Sequence, residues 1–126
     1  MIANCIIQDV LYRYTIMVSV GEDDAVLRKR LTKRFNIDKD SNIHLWTSDD
    51  MMGRALLYTN GTCLIRLRDF SLMYHDISAL THEVLHIVFF VMNDRGVELS
   101  DSSDEAFCYY HGWLMEQVLK KLAKYE

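Results

Sequence analysis

Two histidines and a glutamate stand at a spacing that suits a shared metal ion. His82, Glu83 and His86 form the pattern His-Glu-x-x-His inside a segment of helical periodicity. Residues four apart lie on one face of a helix, so both imidazoles can point at one ion. Zinc accepts imidazole nitrogen at about 2.0–2.1 Å. Glu83 is offset by one position, which favours contact with a water on that ion over contact with the ion itself.

This arrangement predicts hydrolytic chemistry. A water bound to zinc ionises near neutral pH, and the same ion polarises a carbonyl group. The carboxylate of Glu83 can accept the proton of that water and pass it to a leaving amine. The sequence therefore predicts one Zn²⁺ ion with Glu83 as general base. The alternative is a pair of ordinary helix histidines with an accidental glutamate between them, because short motifs also occur by chance.

A catalytic zinc site needs a third protein ligand and an open fourth position. Glu105 is the preferred third ligand, because it opens the next predicted helix, and an antiparallel return brings that helix back alongside the motif. Asp101 and Asp104 are alternatives in the same region, while Glu98 and Asp94 are less well placed. An acid in a first helical turn also suits the helix dipole without any metal.

Several residues of the last predicted helix could assist such a site. Tyr109, one turn after Glu105, can donate a hydrogen bond to a ligand. An oxyanion helper is also expected opposite Glu83, and the residues considered for it are Tyr110, His111, Tyr109 and His75. Aromatic residues on such helices most often belong to the core, which is the competing interpretation. Gly112 shares a face with Glu105 and predicts a close approach of the two helices.

Two long helices are predicted in the second half of the chain. The first runs from about Asp76 to Arg95 and ends at Gly96, a residue suited to the left-handed conformation of a helix end. The second begins after Ser103 and runs to about Lys124. Its inward face is predicted to comprise Ala106, Tyr110, Trp113, Leu114, Val118 and Leu122.

The first half is predicted to be rich in strands. Tyr12 to Val20 combines aromatic and β-branched residues and indicates a strand. Ala25 to Phe35 is predicted to be a helix that buries Leu27, Leu31 and Phe35. A short strand is expected over Ile43 to Thr47. The whole pattern is α+β.

A hairpin is the clearest prediction of this half. The runs Ala55 to Tyr58 and Cys63 to Leu67 flank Asn60-Gly61, a pair that supplies the positive φ angles of a tight turn. Arg66 and Arg68 share one face of the second run, which suggests an exposed or edge strand. Such an edge could bind an extended peptide by strand addition.

The composition and net charge of the chain limit the kinds of partner that it is expected to bind. The 126 residues suit one domain, and 14 basic against 18 acidic residues give a net charge of −4. This balance argues against extensive nucleic-acid binding, which needs clustered positive charge. The basic run Arg28-Lys29-Arg30 with Lys33-Arg34 is interpreted as a solvated helix face, with a nucleic-acid or acidic-protein contact as the alternative.

The number and spacing of the cysteines indicate the redox environment of the protein. Cys5, Cys63 and Cys108 are an odd, scattered set, which favours reduced thiols and a cytoplasmic location. Cys108 lies close to Glu105 and is interpreted as a buried thiol rather than a metal ligand. We expect neither a signal peptide nor a membrane span, because no apolar run approaches about 20 residues.

These motifs resemble the gluzincin clan of zinc metallopeptidases. In that clan a His-Glu-x-x-His helix is followed by a helix that carries a glutamate ligand, and the 18 residues between His86 and Glu105 match its aminopeptidase branch. The segment 104–107, Asp-Glu-Ala-Phe, is similar to the clan's Asn-Glu-(Gly/Ala)-aromatic sequence. Residues 105–114 also resemble small zincin-like proteins encoded by phages and prophages.

The resemblance implies one zinc ion held by His82, His86 and Glu105, and a peptide or protein substrate. It also implies a minimal fold: a small twisted, mostly antiparallel sheet packed on the His-Glu-x-x-His helix and the following glutamate helix. Two features depart from the clan. No exopeptidase motif is present, and the aspartate that supports the metal site in thermolysin-like members is replaced by Tyr109. The alternative is therefore a metal-stabilised protein-binding module with weak or no turnover.

Overall fold

The structure, a computed structural model, describes residues 1–37, 45–46 and 51–125. Within these ranges the order of elements is β1 (Ala3–Asp9), β2 (Tyr14–Val20), α1 (Asp24–Phe35), β3 (Gly53–Leu57), β4 (Thr62–Leu67), α2 (Tyr74–Asp94) and α3 (Asp104–Ala123). The α+β class is confirmed. The short strand predicted at Ile43 to Thr47 lies outside the described residues except for Leu45 and Trp46.

The strands form one mixed sheet of order β1-β2-β4-β3. The pairs β1–β2 and β3–β4 are antiparallel, and the central pair β2–β4 is parallel. The predicted hairpin is confirmed as β3–β4, and Gly61 has the positive φ, 79°, that its turn requires. The side-chain amide of Asn60 donates to the carbonyl of Phe35 at 2.7 Å, which ties this hairpin to the end of α1.

The prediction that Cys63 to Arg68 forms an exposed edge is wrong, because β4 lies between β2 and β3. Arg66 is only 2% exposed. Its guanidinium donates to Asp24 at 2.6 Å and stacks over the ring of Trp46 at 4.3 Å. A planar guanidinium can be buried between a carboxylate and an aromatic face. The charge of Arg66 was therefore not a sign that this residue is exposed to solvent.

The sheet has a helical layer on each face. Successive residues of a strand point to opposite faces, and both faces of β2 are buried. Ile16 and Val18 pack in a cluster with α2 and α3, whereas Met17 packs in a second cluster with α1. The predicted buried face of α1, comprising Leu27, Leu31 and Phe35, is confirmed.

Helix α2 is amphipathic and its end is sharply defined. Its buried residues include Leu80, Val84, Ile87 and Val91. At the end, the N–H of Val97 donates to Met92 at 2.8 Å and that of Gly96 to Asn93 at 3.0 Å, while Gly96 has a φ of 77°. This is a Schellman motif, and it confirms Gly96 as the terminator.

Helix α3 is rotated relative to the predicted inward face. Its buried residues are Phe107, Tyr110, Leu114, Val118 and Leu122, so four of the six predicted inward residues are correct. Ala106 is exposed and Trp113 is 37% exposed, so these two predictions are wrong. The buried face follows the spacing 107, 110, 114, 118, and Phe107 takes the position assigned to Ala106.

Two further expectations for α3 are wrong. A Cβ atom added at Gly112 would meet nothing within 4 Å, so the helices do not approach closely there. Cys108 is exposed rather than buried. Both residues lie outside the stripe that packs on α2 and the sheet.

Among the described helices, none has the length and apolar character needed to cross a membrane.

Candidate metal centre

The two histidines of the motif converge. Their Nε2 atoms lie 3.2 Å apart, and the ring centroids are separated by 4.8 Å with the planes at 75°. Two nitrogens that each lie about 2.0–2.1 Å from one tetrahedral zinc ion are about 3.3–3.4 Å apart. The observed separation therefore suits a shared ion. It equally suits a hydrogen bond between one protonated and one free nitrogen.

Helix α2 exposes these imidazoles and buries the glutamate between them. His82 and His86 lie on its exposed side, whereas Glu83 is 6% exposed. The ring of Phe90 stacks on His86 with a centroid distance of 6.0 Å, which limits how that imidazole can rotate. The ligand atoms of the two histidines and Glu83 all lie within 4.8 Å of one another.

The Glu83 carboxylate lies against strand β3. A Cβ atom added at Gly53 would come within 2.9 Å of Glu83 Cγ, 3.0 Å of its Oε2 and 3.1 Å of Leu67 Cδ2. The missing side chain at position 53 thus leaves the space that the carboxylate occupies. Sequence reasoning missed Gly53, and the available signal was a glycine two residues before the predicted run Ala55 to Tyr58.

Burial raises the pKa of Glu83 above its ordinary value. The neighbouring charges of His82, His86 and Arg54 act in the opposite direction, but the effect of burial is larger. A carboxylate whose pKa is raised towards neutrality is a stronger base, which suits a group that must accept a proton.

Among the described residues, the group of possible metal ligands comprises His82, Glu83 and His86. Glu105, Asp101 and Asp104 are not part of it. Glu105 is exposed in the first turn of α3, and its N–H donates to Asp104 Oδ1 at 2.9 Å. The assignment of Glu105 as the third ligand stays a prediction.

Helices α2 and α3 pack against each other along much of their length. Thr81 Oγ1 and His111 Nε2 lie 3.2 Å apart, and the rings of Phe89 and Phe107 are 5.6 Å apart between centroids. These contacts make the two helices antiparallel neighbours. They place the start of α3, with Glu105, at the level of the C-terminal half of α2.

The residues considered as oxyanion helpers have contacts of their own. Tyr110 is 4% exposed, its hydroxyl donates to Asp9 Oδ2 at 2.7 Å, and burial with this bond holds its pKa well above the ordinary range. His111 contacts Thr81, and His75 Nε2 lies 3.5 Å from Asp76 Oδ1.

Tyr109 is 75% exposed and lines a cavity beside the β1–β2 turn, together with Trp113. No contact of Tyr109 with a histidine of the group is seen in the described part of the chain. The roles predicted for Tyr109, Tyr110, His111 and His75 therefore stay predictions.

No family model, curated protein or solved structure matches the chain.

A largely apolar cavity beside Phe90 was not expected from the sequence. Its volume is about 390 Å³, and Phe90, which stacks on His86, forms part of its wall. Apolar cavities with a few polar groups at the rim commonly receive ligand side chains. The cavity is lined by Phe89, Phe90, Asn93, Val97, Glu98, Leu99 and Phe107.

Proposed function

We propose that this chain is a zinc-dependent peptidase of minimal gluzincin type, with one zinc ion on His82 and His86. The observation that carries the proposal is the 3.2 Å separation of the two Nε2 atoms beside a buried glutamate. A buried carboxylate without a chemical role would cost free energy, and replacement by an apolar residue would avoid that cost. Zinc bound there would polarise a peptide carbonyl and activate a water.

Glu83 is the general base in this proposal. Its position one residue after His82 directs it to the space beside the imidazoles, and Gly53 leaves room for its carboxylate. Burial favours the protonated form of Glu83, so the carboxylate readily takes a proton and later gives it to the leaving amine. Phe90 keeps the ring of His86 in place.

Glu105 is proposed as the third ligand. The antiparallel packing of α2 and α3 supports this role, and the exposed side chain of Glu105 is free to change rotamer. A ligand set of two histidines and one glutamate leaves a fourth position open for water, as catalytic zinc requires.

The substrate is proposed to bind along β3. This strand is at the edge of the described sheet, and its residue Gly53 lies against Glu83. An extended peptide that adds to a strand edge gains main-chain hydrogen bonds, which hold it independently of most side chains. Strand addition was predicted for Cys63 to Arg68. Because β4 lies inside the sheet, we propose β3 as the binding strand instead, and a peptide added there would have a carbonyl beside Glu83.

A second function has one observation in its favour. Among the described residues, no carboxylate other than that of Glu83 joins the histidine pair, which would suit a metal-stabilised binding module without turnover. The test is peptide-library digestion by the zinc-loaded protein and by Glu83→Gln. Cleavage by the wild type, lost by roughly 100-fold or more in the variant while zinc stays bound, supports the peptidase. Bound zinc with no cleavage by either protein favours the binding module.

A further inference from the structure

A basic groove runs along strand β1, at the opposite edge of the sheet from Gly53 and Glu83. Its volume is about 980 Å³. One wall is formed by Arg30, Lys33 and Arg34 of α1, and the other by Lys121 and Lys124 at the end of α3. Five of the chain's 14 basic residues thus come from two separate helices to one groove.

Within the described residues, one of these five cations has an acidic partner. Arg30 pairs with Glu22 at 2.7 Å. Within the described part of the chain, Lys33, Arg34, Lys121 and Lys124 have no acidic partner. In a protein of net charge −4, such a concentration of cations produces a local positive potential that attracts an anionic ligand.

The floor of the groove is a strand edge with outward-facing main-chain groups. The hydroxyl of Tyr125 donates to the carbonyl of Asn4, so the main chain of Asn4 points away from β2. The N–H of Thr15 in β2 donates to the carbonyl of Gly61 at 3.3 Å, so the main-chain groups of Thr15 point away from β1. Gln8 in β1 is the register partner of Thr15, so the main-chain groups of Gln8 point outward from the sheet.

Main-chain direction alternates along an antiparallel strand, so Ile6, midway between Asn4 and Gln8, faces outward as well. Among the described strands, β1 pairs with β2 alone. Ile6 and Gln8 therefore present N–H and C=O groups at the spacing of a strand, and both residues line the groove.

We propose that this groove binds an extended acidic peptide, from a partner protein, as an additional strand on β1. Alternate side chains of an added strand point to opposite faces. One set would meet the cations of α1 and the other those of α3. The main chain of the peptide would pair with Ile6 and Gln8. This proposal does not depend on the metal centre.

Two other occupants fit less well. A second copy of the chain, paired β1 to β1, would bring two basic edges together, and like charges oppose that pairing. A single-stranded nucleic acid would satisfy the charge, but it would leave the strand-spaced main-chain groups unmatched. Among the described residues that line the groove, Tyr125 alone has an aromatic ring. Charged residues at an edge can also simply prevent strand pairing.

The test uses fluorescence anisotropy at low salt with a short fluorescein-labelled peptide of Glu, Asp, Val and Thr. Three comparison probes are a peptide with Lys in place of the acids, the acidic peptide N-methylated at alternate residues, and single-stranded oligothymidine. The protein variant is Lys33→Glu with Lys121→Glu. Its matched control is Lys29→Glu with Lys120→Glu, which makes the same charge change on the same helices outside the groove.

The proposal predicts that the acidic peptide binds and the lysine peptide does not. The groove variant should weaken binding at least about tenfold. The control should weaken it less than about threefold, since exposed charges that make no direct contact with the peptide each contribute little. N-methylation of the residues facing β1 should also weaken binding about tenfold, because it removes main-chain donors. Equal binding of the N-methylated peptide would overturn strand addition. Binding of oligothymidine without peptide, or no binding of any probe, would overturn the proposal altogether.

Discussion

The backbone of Gly53 in β3 lies against the side chain of Glu83 in α2, with only 2.9 Å between Glu83 Cγ and the position of a Cβ atom at residue 53. This contact joins the edge of the sheet to the helix that carries the histidine pair. It explains how a buried carboxylate is accommodated, and it makes position 53 sensitive to the smallest added side chain.

Gly53→Ala should therefore destabilise the protein. The added methyl group would be too close to Glu83 and to Leu67 Cδ2, and we expect a loss of about 1–3 kcal/mol in the free energy of unfolding. Urea titration followed by circular dichroism measures this. The matched control is Gly112→Ala in the exposed part of α3, where nothing lies within 4 Å and alanine should gain about 0.5–1 kcal/mol. Equal effects of the two substitutions would contradict the contact.

Glu83→Gln should change the pH dependence of stability in the metal-free protein. Because the pKa of Glu83 is raised in the folded state, the folded protein holds this proton more tightly than the unfolded chain. The stability that Glu83 contributes to the wild type is present below the ordinary glutamate pKa of about 4.3. It is lost as pH rises through the raised pKa of Glu83 in the folded protein. Glutamine carries no such charge.

The variant should consequently gain stability relative to the wild type as pH rises from about 4 to 8. The measurement is urea unfolding of both proteins in EDTA across that range. A stability difference that stays constant with pH would show that Glu83 is not desolvated in the folded protein.

The three cysteines should differ sharply in reactivity. Burial raises the pKa of Cys5 to about 11 and that of Cys63 to about 12, whereas Cys108 is exposed. The thiolate is the reactive form, so Cys5 and Cys63 should be nearly inert at pH 8. Titration with a chromogenic disulfide reagent should show one fast thiol per native chain and three after unfolding. Cys108→Ser should abolish the fast phase, and a fast phase that persisted would contradict the structure.

Tyr110→Phe should reduce stability without loss of the metal. The substitution removes the hydroxyl that donates to the buried carboxylate of Asp9, which would keep only its bonds from the N–H groups of Leu11 and Tyr12. We expect a cost of about 1–3 kcal/mol and unchanged turnover per zinc-loaded molecule. The exposed Tyr109 provides the control, since Tyr109→Phe should leave stability unaltered. Lost turnover in Tyr110→Phe at wild-type stability would instead place the Tyr110 hydroxyl in the site.

Local signals predicted most of the elements. The spacing of Leu27, Leu31 and Phe35 predicted α1, Asn60-Gly61 predicted the β3–β4 turn, and Gly96 predicted the end of α2. Each depends on side-chain periodicity or on one backbone conformation. Such features are determined by neighbouring residues and can be predicted without knowledge of the tertiary structure.

Two features of the sheet were not predictable in this way. The turn between β1 and β2 contains no glycine; Arg13 takes a positive φ of 64°, and the carboxylate of Asp9 accepts the N–H groups of Leu11 and Tyr12. The position of β4 inside the sheet was obscured by Arg66, whose charge is buried against Asp24.

For the site, the helical spacing was sufficient to predict that His82 and His86 converge. The space that Gly53 leaves for Glu83 depends on how β3 packs on α2, a long-range contact with no sequence signal. The reach of Glu105 depends on the loop and the rotamer that position its carboxylate. These were the parts that periodicity alone could not determine.

X-ray absorption spectroscopy on the protein loaded with one equivalent of zinc tests whether the histidine pair and Glu105 hold one zinc ion. We expect two imidazole ligands, with further oxygen ligands at about 2.0–2.2 Å. His82→Ala and Glu105→Ala should each lose stoichiometric zinc, whereas Glu116→Ala, on the same helix as Glu105, should retain it. Wild-type zinc affinity in Glu105→Ala would contradict the ligand set, and a zinc spectrum without imidazole would contradict the centre itself.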